Sequence, residues 1–287
     1  MRRKMGLYLG LTWVLVGGRP GRHGSAAGGD GMIRGLYSAA AGLLATQLQE
    51  GVVADNLANS GTAGYKARHV TFAAFGPMAL DRVGSVAMAA GAAPIGTISS
   101  GAMIDQTAVN WTPGPLRATD NPMAAAISGP GMFAVQTAQG IRYTRAGEFR
   151  IDGAGLVVNP AGASVLAANG HALRVPSSLA GFTGAIQADG TVRVHGQAVG
   201  VVGVFAPPQA RLTPVGGSLF ALPAGAPAPA AVAATLRPGY VEQANVDVVA
   251  QMAALLQVQE AYASDQRAVQ IANHTMKTAL TDVGSLP

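Results

Sequence analysis

The sequence predicts an α+β fold, with N- and C-terminal α-helices pairing in a coiled-coil-like helical region and a β-rich middle domain between them. Three observations lead there. Apolar residues near the N-terminus recur three or four apart, and a longer unbroken alternation of four- and three-residue steps occupies the C-terminus. The middle is a series of short β-branched and aromatic runs punctuated by glycine. A length of 287 residues is enough for one large or two modest domains with a real core. The expected division is an extension over 1–31, an N-terminal helix and following motif over 32–75, the β-rich domain with irregular loops over 76–238, and the C-terminal helix over 239–287.

The extension carries nearly all of the chain's charge imbalance. Lys and Arg number 19 against 14 Asp and Glu, a formal +5. Arg2, Arg3, Lys4, Arg19 and Arg22 face only Asp30 within 1–31, so the rest of the chain is close to neutral. Arg2-Arg3-Lys4, the apolar run Met5 to Val16 and the small residues Ser25-Ala26-Ala27 together look like a secretory signal. The run is short of the roughly 20 apolar residues that a membrane span needs, so no stable membrane insertion is expected. A second reading competes: Gly28-Gly29-Asp30 just before Met32 is what a purine-rich ribosome-binding site would encode if translated. Met32 is then the expected start of the functional chain.

In the N-terminal helix, Leu36, Ala40, Leu43, Leu44, Leu48, Val52 and Val53 follow helix periodicity from Ile33, and Gly61 and Gly64 punctuate its end. The polar, glycine-punctuated segment Asn56 to Lys66 reads either as a helix C-cap and turn or as an inter-subunit contact, with Tyr65 as its one large anchor.

Strands are expected at Met132 to Gln136, Ile141 to Thr144, Glu148 to Ile151, Leu156 to Val158, Val165-Leu166, Thr191 to Val194 and Val199 to Phe205. Asp152-Gly153 and Asp189-Gly190 are favourable turn dipeptides between such runs. Residues 76–105 lack periodicity and read as an irregular connection, and 221–235, rich in Ala and Pro, as a linker.

Asn245 is the expected N-cap of the C-terminal helix, with Asp247 in its first turn complementing the dipole. Val248, Met252, Leu255, Gln259, Tyr262, Gln266, Val269, Asn273, Met276, Leu280 and Val283 form a heptad seam. The seam fits either a helix packed on its own domain or one shared with other subunits. A helix from Asn245 to Asp282 is about 57 Å long, more than a small β domain covers alone.

Chemistry is sought and not found. Zero cysteines exclude disulfides and thiolate metal sites. His23, His69, His171, His195 and His274 are scattered, with no pair at metal-ligand spacing. Gly129-Pro130-Gly131 sits at the start of a strand with no surrounding βαβ unit, so it is not a dinucleotide loop. Nucleophile elbows, phosphate loops and metalloprotease helices are absent, and 5% aromatics argue against stacking on single-stranded nucleic acid. No enzymatic activity, cofactor or nucleic-acid partner is expected.

Three ordered blocks resemble the flagellar axial family of rod and hook proteins. Met32-Ile-Arg-Gly-Leu-Tyr37 leads to Asp55-Asn-Leu-Ala-Asn59 and Thr62-Ala-Gly-Tyr-Lys66, similar to that family's N-terminal helix and motif, with Asp55 where its first Asn is usual. Thr119 to Met123, Ile127 to Phe133 and Tyr143 to Gly147 are similar to the middle domain of the rod proteins. Gly239-Tyr-Val-Glu242, Asn245-Val246, Met252 and Gln257 to Tyr262 match its closing signature. The resemblance implies a helical tube with terminal helices inside and β domains outside, and a chain that starts at Met32 and leaves through the flagellar export apparatus. A remainder of 256 residues suits a rod protein, and the Gln257 to Tyr262 block leans to the distal rod.

It also implies partners: further copies of the chain and other rod and hook axial subunits. Assembly-interface residues are expected at Leu36, Leu43, Leu48, Asn56, Asn59, Tyr65, Met252, Leu255, Gln259, Tyr262, Val269 and Met276. Such helices should be frayed or disordered in the monomer and order on assembly. The rival classes are a secreted hydrolase, for which no catalytic constellation is present, and a secreted adhesin using the β domain.

Overall fold

A computed structural model describes residues 29–74, 76, 78–82, 93–98, 102–179 and 182–284. The signal-like features of residues 1–28 lie outside the described residues. The fold is α+β: helix α1 spans Gly29–Ala58, helix α2 spans Val248–Gly284, and the strands lie between them.

α1 and α2 lie against each other. The Asn56 amide donates to Gln251 Oε1 at 3.1 Å, while Gly42 faces Asp265, whose carboxylate a Cβ at position 42 would approach to 3.0 Å. Because position 42 precedes 56 while 265 follows 251, the two contacts fix an antiparallel register. Small residues on α1 permit the approach, with Gly42 half-buried and Ala45 buried.

The covered face of α2 runs through Gln251, Leu255, Val258, Tyr262, Asp265, Val269, Ala272, Met276 and Ala279, again in alternating steps of four and three. This corrects the expected seam. Leu255, Tyr262, Val269 and Met276 stay on it, but Val248, Met252, Gln259, Gln266, Asn273 and Leu280 turn to solvent, and the Val283 side chain lies outside the described residues. Apolar periodicity along α2 alone carries no information about the small residues of α1, which accept Asp265 and alanines where the pattern sought larger side chains.

The helix start is also corrected. Asp247 Oδ1 accepts from the N–H groups of Val249 and Ala250 at 3.0 and 3.1 Å, and its carbonyl accepts from Gln251. Asp247 is therefore the N-cap, and Asn245 is used elsewhere.

Residues 76–105 are not simply irregular. Arg68–Ala74 pairs antiparallel with Ala102–Val109, and Met78–Arg82 with Ala93–Ile98, as two-stranded ribbons. No residue of the Arg68–Ala74 strand is buried, so no core face imposed the alternation by which strands are read.

The β domain centres on Met132–Thr137. It pairs with Gly140–Thr144 along one edge, and with Ser164–Val165 and Val204–Phe205 along the other. Leu219–Ala221 and Thr213–Gly216 extend the sheet on one side, and Val157–Val158 and Arg150–Ile151 on the other. Phe133 and Val135 enter one core cluster with Phe149, Val157, Val165, Val192 and Leu236; Met132 and Ala134 enter a second with Tyr143, Phe205 and Phe220. Both faces of this strand are covered, which is why it reads as a continuous apolar run rather than an alternation. The edge-on pair Phe133–Phe149, centroids 5.0 Å apart, anchors the first cluster.

Gly184–Ile186, Thr191–Val194 and Gln197–Val201 form a separate three-stranded sheet. The expected run from Val199 to Phe205 is thus two strands, interrupted at Val202 and Gly203. Two short antiparallel pairs return the chain to the helices: Ala125–Ser128 with Thr235–Pro238, and Leu116–Ala118 with Tyr240–Glu242.

Candidate functional site

Where the helix pair meets the β domain, four stretches of chain converge on a buried polar hub. Their order in sequence is Asn56 to Arg68, Asn110 to Gly114, Arg145 to Gly147 and Glu242 to Asn245. The pairing of Leu116–Ala118 with Tyr240–Glu242 brings the last of these beside the second.

Glu242 is the centre, 1% exposed, with Lys66 at 3% and Arg145 at 8%. Lys66 Nζ lies 2.6 Å from Glu242 Oε1 and also donates to the carbonyl of Thr112 at 2.8 Å. Arg145 Nη1 lies 3.3 Å from Glu242 Oε2, and its Nη2 donates to the carbonyl of Gly129 at 2.8 Å. The N–H of Gly114 completes the carboxylate's shell at 3.0 Å. Two buried cations share one buried anion, and backbone carbonyls complement the remaining positive charge. Burial pushes the Lys66 ammonium below its ordinary value of 10.5, an effect opposed by the hydrogen bond and charge of Glu242 and assisted by the charge of Arg145.

Two amides tie the helices to this centre. Asn56, in the last turn of α1, accepts from Tyr65 Oη at 3.0 Å and the Arg68 N–H at 2.9 Å, and donates to the Arg68 carbonyl and to Gln251 in the first turn of α2. Asn245 Oδ1 accepts from the Ala67 N–H at 2.7 Å, and its Nδ2 donates to the carbonyls of Asn110 and Thr112 at 2.9 Å. Among the described residues no buried side-chain nitrogen or oxygen lacks a partner.

Two glycines let the stretches touch. Gly64, at φ +67°, donates to the Glu242 carbonyl at 2.7 Å, and a Cβ there would fall 2.2 Å from the Ala146 nitrogen. At Gly114 a Cβ would fall 2.1 Å from the Gln243 carbonyl oxygen. Alanine fits neither place without backbone movement.

The expected interface residues divide between hub, helix seam and solvent. Asn56 and Tyr65 are buried in the hub, and Asn59 is half-buried beside it, closing the turn after α1 onto Thr62 Oγ1. Leu36 and Leu43 are half-buried on α1; Leu255, Tyr262, Val269 and Met276 are half-buried on α2. Leu48, Met252 and Gln259 are exposed. With Leu48 and Met252, the side chains of Leu44, Val249, Leu256, Ile271 and Leu280 are more than half exposed, leaving both helices with uncovered apolar surface. Sequence reading missed Lys66, Arg145 and Glu242 as a unit, because the residues lie 79 to 176 positions apart.

A groove of about 420 Å³ lined by Met123, Phe149, Ile151, Asp152 and Phe182 places Asp152 Oδ1 on the Ala154 and Leu156 N–H groups, leaving it committed to its own turn. Among the described residues no group of three His, Asp or Glu could hold a metal, and no helix is long and apolar enough to cross a membrane.

Residues 126–194 match the family model described as the flagellar hook protein FlgE/F/G D1 domain, and residues 237–282 match the flagellar basal body rod FlgEFG protein C-terminal model. The chain is 28% identical to the flagellar basal-body rod protein FlgG of Bacillus subtilis, covering 83% of this chain and 94% of that one. It is 29% identical to the flagellar basal-body rod protein FlgF of Mesorhizobium japonicum, over 87% and 98% of the two chains. It is 28% identical to the FlgG of Caulobacter vibrioides, over 85% and 97%. With matches spanning nearly the whole length of these relatives, the chain is similar to the flagellar rod and hook proteins, and among them to basal-body rod proteins of the FlgG/FlgF type.

Proposed function

We propose that this chain is a structural subunit of the flagellar basal-body rod that polymerises through its terminal helices into the axial drive shaft. The observation that carries the reading is the uncovered apolar surface of the helix pair: Leu44, Leu48, Val249, Met252, Leu256, Ile271 and Leu280 are each more than half exposed. Full burial of one such side chain is worth about 1.5–3 kcal/mol, so several buried per neighbour favour assembly. A surface that meets a different patch on the next copy generates a helical filament instead of a closed ring.

In this reading residues 32–75 and 239–287 form the tube wall, and the β domain within 76–238 faces outward. The distal position is favoured over the proximal one by the Gln257 to Tyr262 block. Other rod and hook subunits cap the stack, and the flagellar export apparatus delivers the chain across the cytoplasmic membrane. The role is mechanical and involves no catalysis or cofactor. The rotated seam fits it: α2 uses one register class against its own chain and keeps Met252, Gln259, Gln266, Asn273 and Leu280 for neighbours. Purified basal bodies, dissected by position and identified by mass spectrometry, test the assignment. The chain should be found in the rod, and a deletion strain that swims normally would remove the reading.

A further inference from the structure

We infer that the hub, and not the helix seam, sets the register and rotation of α1 against α2, with Asn56, Asn245 and Glu242 as positioning residues for the assembly face. The seam is a poor ruler. On α1 it presents Ala39, Gly42, Ala45, Thr46 and Gln49 beside Leu43 and Val53, and on α2 Leu255, Val258, Tyr262, Val269 and Met276 stand among Asp265, Ala272 and Ala279. Among the described residues only Ala45, Val53, Asn56 and Val258 of the two helices are buried, so most of the larger seam side chains are only half-covered. The covered positions of α2 recur in steps of four and three, so a slip of one turn, about 5.4 Å, sets seam positions against seam positions again and separates the registers weakly.

The hub discriminates where the seam does not. Asn56 binds the Arg68 backbone in both directions while donating to Gln251, so one amide reads the last turn of α1 and the first turn of α2 together. Asn245, two residues before the Asp247 cap, is held by three carbonyl or N–H groups of the adjoining chain. Glu242, three residues earlier, is fixed by Lys66, Arg145 and Gly114. A one-turn slip therefore breaks several of these hydrogen bonds at once and leaves polar groups at the hub unsatisfied. The consequence rests on the rod reading: the rotation fixed here leaves Leu44, Leu48, Met252 and Leu256 uncovered for the next subunit.

The absence of cysteine makes the test direct. Gln47 and Lys277 are both exposed, and because residue 260 is the one level with 47 in the observed register, they stand 17 residues, about 26 Å, apart along the helix axes, so a slip changes their distance by nearly its full length. With both replaced by cysteine and spin-labelled in the full-length free subunit, double electron–electron resonance should give one narrow distance. The additional changes E242Q or N245A/Q251A should each broaden or split it by about one turn, 5.4 Å. Amide exchange at Val135 and Val192, in the β core, should stay slow in both. An unchanged narrow distance in both variants, or a broad distribution before any hub residue is altered, overturns the inference. Loss of β-core protection alongside the broadening overturns it too, since the hub would then hold the whole domain rather than the helix register. The measurement uses free subunits, so it stands or falls separately from the basal-body identification.

Discussion

Replacing Glu242 by Gln tests whether charge balance or packing holds the helices to the β domain. The change preserves shape and one oxygen, so Gln can still accept from Lys66 or Gly114, now 2.6 and 3.0 Å from Oε1. Its NH₂ then faces Arg145 Nη1 at the present 3.3 Å, donor against donor, and two buried cations lose their only carboxylate. Removing one partner of a buried ion pair costs about 3–5 kcal/mol, a large part of the roughly 5–15 kcal/mol that holds a domain together. For a domain of this size the melting temperature should fall by on the order of 10 °C. Lys66→Met is the control. It leaves Glu242 and Arg145 as a one-to-one pair, and the Thr112 carbonyl keeps its bond from Asn245, so about 1–2 kcal/mol is expected. Trp111, against Phe220 with centroids 4.8 Å apart and between the hub acceptors Asn110 and Thr112, reports unfolding in urea once Trp13 is replaced by Phe. Equal losses in the two variants, or a neutral Glu242→Gln, would refute the charge-balance argument.

Three further outcomes are expected. Because the folded Lys66 pKa is lowered, the unfolded chain binds more protons between that lowered value and 10.5, so stability relative to Lys66→Met rises with pH across that window and is level below it; urea titrations of both proteins from pH 7 to 10.5 check the slope. Gly64→Val should cost about 3 kcal/mol or more, from the left-handed backbone and the collision with Ala146 together; it should lower the urea midpoint and abolish swimming, and normal motility would argue against any demand at this turn. Leu48→Glu with Met252→Glu should leave the unfolding free energy measured in urea within about 0.5 kcal/mol of the parent, as exposed sites do, while preventing incorporation into rods; unimpaired incorporation would move the interface elsewhere.

The parts of the fold visible in sequence are the two helices, which carry one dominant periodicity, and the strands that read as short apolar runs bounded by turns. Both terminal helices and the strands around Met132, Ile141 and Thr191 were legible because burial wrote a pattern into each. The ribbon strands at Arg68–Ala74 and Ala102–Val109 were not, since among the described residues neither strand has a buried one. Rotation of α2 was legible only in part: Leu255, Tyr262, Val269 and Met276 share both descriptions, but the other half of the seam depends on which face α1 approaches. At the hub, Asn56 and Tyr65 stood out in a polar segment after a helix. Glu242 did not, because a lone acid in a strand has no local signature of two cations brought from 97 and 176 residues away. The displaced N-cap has the same origin: Asn245 is a suitable cap by type, and long-range backbone partners outcompeted the helix for its amide.

The nesting of the hub within the chain has a kinetic consequence. Lys66 and Asn56 are synthesised early, but their partners Glu242, Asn245 and Gln251 come near the end, and the loop that must close between them contains the whole β domain. Closing a loop of that length costs entropy before any of these bonds is returned, and contacts of such separation form slowly. The β core can condense first, leaving α1 tethered but unregistered until the last fifth of the chain arrives. A subunit interrupted before residue 242 should therefore own a folded domain and no usable helix pair, so incomplete chains are excluded from growth by their own topology.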